Sequence, residues 1–212
     1  MAASGPAEAM MMMLPFVLVA LAPVVAYYLS SAAFPRGQVP ALPSLRLSGS
    51  GRWRELDVDA AQKNPAFGPM GLMASLIAGI LINVPVRCLE YVGAVPAMAH
   101  GVPSWAHSIA FAMTVDAVAM SFCYMVCFVL ALRSVPMFPR MLVLTWALDI
   151  MMQFGIAHQV STAPHLPPAV AAALSQVLHG NVQKVLISVC VWLPYLIVSK
   201  RVNVTFRRRV RV

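Results

Sequence analysis

The chain has 212 residues, of which 60% are hydrophobic and only 10% charged, against about 25% charged in an ordinary soluble domain. That balance excludes a water-soluble globule, whose surface needs charge, and it excludes disorder, which needs low hydrophobicity. Four cysteines in a chain of this length also exclude a secreted disulfide scaffold, and the net charge of +8 serves below as a topology signal.

Apolar runs long enough to cross a bilayer as helices occur at about residues 10–33, 69–89, 107–132, 140–160 and 182–199. The fold class expected is therefore all-α: a polytopic membrane protein of five transmembrane helices, one amino-terminal helix added to a four-helix core. Residues 1–33 form the first helix, 34–68 a linker, 69–199 the core and 200–212 a basic tail. The linker holds prolines 35, 40, 43 and 65 and the Ser-Gly-Ser-Gly run at 48–51, with Trp53 and Leu56 set among charges. The first span is read as retained rather than cleaved, because Glu8 precedes it and no Lys or Arg does.

Basic residues orient the spans. Arg36, Arg46, Arg52, Arg54 and Lys63 fall in the linker, Arg133 and Arg140 between spans three and four, and Lys200, Arg201, Arg207, Arg208, Arg209 and Arg211 in the tail. Placing these three segments in the cytoplasm leaves only Arg87 and Lys184 elsewhere, so the positive-inside rule predicts an outer amino terminus and a cytoplasmic carboxyl terminus. The tail cations are expected to contact anionic lipids rather than nucleic acid.

The carboxyl end carries Trp192, Pro194 and Tyr195, then Ser199, Arg201 and Val202, then Thr205 and Phe206, while Phe138, Pro139 and Arg140 open span four. These residues resemble the DUF2569 family, small bacterial inner-membrane proteins of undefined function, over about residues 66–206. The resemblance implies a bacterial inner-membrane location and a four-helix core, and it implies no chemistry.

Ionisable groups at mid-membrane require a reason, since each costs about 2.5 to 3.5 kcal/mol there on insertion scales. Asp116 and Asp149 lie at such depth. They read either as a proton relay or as buried acids bonded to Thr145, Gln153, Asn83 or a hydroxyl, with no intramembrane basic partner evident. His100, His107, His158, His165 and His179 all fall at outer ends or in outer loops. Their spacing matches no zinc motif, and only His107 and His158 stand at similar depth, as haem ligands on neighbouring spans would. Cys88, Cys123, Cys127 and Cys190 read as packing residues, and the methionines, including the run at 10–13, as space-filling ones. Nucleophile elbow, P-loop and dinucleotide fingerprints are missing, so no catalytic residue, metal or cofactor is expected.

Three functions remain open on this reading. The leading one is a non-catalytic structural or accessory subunit of a larger membrane complex. The others are a small proton-coupled carrier or channel using Asp116 and Asp149, and an electron-transfer protein holding haem or copper on the outer side.

Overall fold

A computed structural model describes residues 5–34, 53–96 and 102–211. Arg36, Arg46, Arg52, the 48–51 run and His100 lie outside the described residues. The elements in chain order are α1 (Pro6–Ala33), β1 (Trp53–Glu55), α2 (Val58–Gln62), α3 (Leu72–Ala94), α4 (Ser104–Leu132), α5 (Phe138–Thr162), α6 (Pro168–Val198), α7 (Lys200–Arg207) and β2 (Arg209–Arg211). Helices α1, α3, α4, α5 and α6 are each long and apolar enough to cross a membrane. The protein is thus a nearly all-α polytopic membrane protein with five spans.

Two boundaries differ from expectation, for one physical reason. Helix α3 runs on to Ala94 past Arg87 and Glu90, and α6 begins at Pro168 rather than at residue 182. A hydropathy window closes where polar residues cluster, yet side chains that face a protein neighbour do not have to be apolar. Pro168 itself fits the first turn of α6, where its missing N–H would have no helical partner in any case.

Helix α4 is the centre of the bundle and packs against α1, α3 and α5. Between apolar helices in lipid, close packing replaces the hydrophobic effect as the source of affinity. The buried line Val19, Ala22, Ala26 and Ser30 gives α1 a stripe of small residues at helical spacing, which lets two backbones approach closely. Helix α1 is therefore integral to the bundle, running parallel to α4, and Arg133 at the end of α4 donates to the carbonyls of Ser31 and Phe34 at the end of α1. Those carbonyls have no partner within the helix, so Arg133 closes it. Among the spans, α6 packs mainly on α5 and is the least enclosed.

At the end of the bundle where α1, α4 and α6 finish, the chain adds a small polar assembly. Strands β1 and β2 pair antiparallel, with Trp53 opposite Arg211 and Glu55 opposite Arg209. The stretch expected to be a basic tail held at the membrane is folded: α7 packs five consecutive buried residues, 202–206, onto the bundle, and β2 pairs with β1 of the linker. Three-residue strands carry too few alternations to be read from sequence.

Candidate functional site

Asp116 on α4 and Asp149 on α5 are both buried, and both bind one guanidinium. Arg87 Nη1 donates to Asp116 Oδ2 at 3.0 Å, while Nη2 donates to both Asp149 oxygens at 2.9 and 2.7 Å. The expectation that the acids lack an intramembrane basic partner is corrected here. It placed Arg87 at the edge of its span, whereas α3 continues past it and carries it inside.

Two further groups complete the network. The Tyr124 hydroxyl donates to Asp149 Oδ2 at 2.8 Å, and Gln153 Nε2 donates to Asp116 Oδ1 at 3.2 Å. Asn181 on α6 reaches Gln153 Oε1 at 3.4 Å. Of the other partners considered, Thr145 pairs with Cys127 at 3.4 Å instead, and Asn83 lines the neighbouring cleft. A planar fork of fixed donors is what allows one arginine to serve two carboxylates; a lysine would offer a single point charge.

Helix geometry explains the convergence. Asn83, Arg87 and Glu90 are spaced four and three apart on α3, and Asn181, Lys184 and Ser188 three and four apart on α6, so each set forms a stripe along one helix face. The two stripes line opposite walls of a cleft of about 150 Å³, with Tyr124, Trp146 and Asp149 between them. Lys184 and Glu90 form an ion pair across the cleft, and both are exposed. The stripes were the available sequence signal for this site, because polar residues at helical period inside an apolar span mark a face turned from lipid.

Other candidates do not converge. His107, His158, His165 and His179 are exposed, and His179 sits within α6 rather than at its outer end, with its ring 3.0 Å from Gln183. No group of three or more His, Cys, Asp or Glu side chains among the described residues is placed to hold a metal ion. Cys88, Cys123, Cys127 and Cys190 are free thiols.

The residues that carry the family resemblance gather at the α7 end. Ser199 caps α7 by accepting from Val202 N at 3.5 Å, Thr205 Oγ1 accepts from Gly68 N at 3.0 Å, and Arg201 reaches the carbonyls of Phe67 and Gly68 at 3.3 and 3.4 Å. Gly68 has φ +94, a backbone conformation that a side chain would strain. Phe206 packs against Phe138 with ring centroids 5.0 Å apart, and Pro139 and Val202 are buried beside them. Trp192 and Tyr195 meet edge to face at 5.9 Å, and α6 runs through Pro194 without a break.

The tail cations also have protein partners. Arg207 donates to Ile197 O and Asn203 Oδ1, and Arg209 donates to Asn203 Oδ1 while stacking 4.3 Å from the Trp53 ring centre. Burial, with Arg209 and Arg140 nearby, lowers the pKa of Arg207 from its ordinary value. Arg208 ends α7 in the left-handed conformation. Of the residues expected to contact anionic lipids, Lys200, Arg201, Arg207, Arg208, Arg209 and Arg211, three, Arg201, Arg207 and Arg209, bond within the protein.

No protein-family model matches the chain, and no curated protein or solved structure shows significant similarity to it.

Proposed function

We propose that the chain is a small proton-coupled carrier or channel, with Asp116 and Asp149 as the groups that exchange the proton. One observation carries this reading: two buried carboxylates share a single guanidinium at mid-bundle. Asp116 lies about 18 Å along α4 from its start and Asp149 about 17 Å along α5 from its start, at 1.5 Å per residue, and the two starts lie at opposite ends of the bundle. Unbalanced charge is costly in hydrocarbon, and one proton on the acids makes the trio neutral. Buried acids that pass a proton between helices are the common form of such relays.

The test is reconstitution of the full chain in liposomes containing a pH-sensitive dye, with a potassium diffusion potential as the driving force. Proton flux above that of empty vesicles is expected, together with its loss in the Asp116→Asn/Asp149→Asn double variant when that variant inserts normally. Equal flux in the double variant removes the acids from the pathway.

A second reading, as a non-catalytic accessory subunit of DUF2569 type in a bacterial inner membrane, is favoured by a different observation. The resembling residues, from Phe138 to Phe206, build a packed end rather than a reactive site. Under either reading the α7 end, which collects Arg133, Arg140, Arg201 and Arg207, faces the cytoplasm and its anionic lipids. A reporter fused after Arg208 that is translocated would reverse this orientation. The haem or copper reading has no support in the placement of His107 and His158, which remain exposed on separate helices.

A further inference from the structure

The cleft between α3 and α6 presents more hydrogen-bonding capacity than the protein uses. Asn83 and Ser188 line it from opposite walls, and Trp146 and Trp192 line it from α5 and α6. None of these four side chains has a hydrogen-bond partner among the described residues. Inside a membrane a polar group with no partner is expensive, so the cleft must be filled by water or by a polar ligand.

Charge and shape narrow the ligand. An anion is disfavoured because the cations are already taken: Arg87 by Asp116 and Asp149, and Lys184 by Glu90. The groups lining the cleft balance, Arg87 and Lys184 against Asp149 and Glu90, and Asp116, bonded to Arg87 from outside that lining, leaves the connected network one negative charge. Aromatic rings from three helices, Tyr124, Trp146 and Trp192, border it, and ring faces attract cations strongly once water is excluded. The volume of about 150 Å³ is that of a cavity able to hold a benzene-sized molecule, roughly six or seven non-hydrogen atoms.

We infer that the cleft between α3 and α6 binds a small organic monocation of the ammonium class. The inference rests on the carrier reading and supplies its substrate class. Cation and proton compete for the same negative charge, which is the condition for exchanging one against the other. The titratable and charged groups that bear on this charge are Arg87 and Glu90 on α3, Asp116, Cys123 and Tyr124 on α4, Asp149 on α5 and Lys184 on α6. Of these, the two Asp side chains bond directly to the shared guanidinium.

The experiment is calorimetric titration of the purified full chain in mild detergent with choline, and with 3,3-dimethylbutan-1-ol, which has the same shape without the charge. Choline is expected to bind saturably and at least about tenfold more tightly than the alcohol. Trp192→Leu, at a half-buried position, should weaken choline binding about tenfold, and Ser188→Val should weaken it less. Equal binding of both probes, binding unaffected by either substitution, or no binding of choline to the folded protein would each overturn the inference. Failure here with acid-dependent proton flux intact leaves the carrier reading standing. Choline binding without that flux removes the carrier reading and leaves the site.

Discussion

Arg87 and Asp149 lie 62 positions apart in the chain, yet Arg87 Nη2 stands 2.7 Å from one Asp149 oxygen and 2.9 Å from the other. The bond joins α3 to α5 although these helices have α4 between them as their common neighbour. With Asp116 on α4 as the third member, three spans are tied at one depth.

Removing the guanidinium leaves two buried carboxylates facing each other. Arg87→Gln is expected to destabilise the protein by about 3 kcal/mol, in the range for breaking a buried ion pair. Adding Asp149→Asn should restore part of that loss, since the acid no longer needs the charge. Thermal unfolding in detergent of the single and double variants measures both effects. Additive losses would show that the two residues are energetically independent.

Tyr124 holds Asp149 by one hydrogen bond and packs its ring 5.9 Å from the Arg87 guanidinium carbon. Tyr124→Phe keeps the ring and removes only the hydroxyl. A loss of about 1 to 2 kcal/mol is expected from an unmatched bond to a charged group. A melt unchanged within error would mean that water replaces the hydroxyl.

The pairing of β1 with β2 sets Arg54 opposite Val210. Cysteines at both positions, with exposed Cys190 changed to serine, should form a disulfide under mild oxidation, because directly opposed side chains stand about 5 Å apart. A gel-shift assay after proteolysis of the linker reads the cross-link. Cysteines at 55 and 210, one register step apart, serve as the comparison and should link less readily.

Phe206 is 2% exposed against Phe138, so Phe206→Ala should cost about 3 to 5 kcal/mol, the usual range for emptying an aromatic site. Thr205→Val should cost less, about 1 to 2 kcal/mol, for the Gly68 amide left without its acceptor. Both are read as melting temperature. If the two substitutions have no effect, the α7 end does not contribute to stability.

The spans were legible because nearly every residue of a membrane helix can be apolar, and the depth of Asp116 and Asp149 followed from their place in those spans. Arg87 was not legible as their partner. A window that averages hydropathy drops a charge near its end, and only the length of α3, to Ala94, shows that the charge is inside. The same averaging concealed the first half of α6, so that Lys184, expected near the outer end of its span, lies at the middle of the helix, and Asn181 lies within it too. The resembling residues around Thr205 and Phe206 were visible as a pattern. Their meaning was not, because the Gly68 amide and the Phe138 ring that complete them come from distant segments.

Helix α6 is capped where it meets α7, through the Ile197 carbonyl held by Asn203 and Arg207, and along its length it leans mainly on α5. A long rod secured at one end and loosely seated elsewhere behaves as a lever, with its fulcrum at the Ser199 turn. Elements with few packed neighbours are the ones that open at least cost. A rotation about that turn would carry Lys184 away from Glu90 and widen the gap in front of Arg87 without disturbing the α1–α4 pair or the β1–β2 clasp, neither of which includes α6.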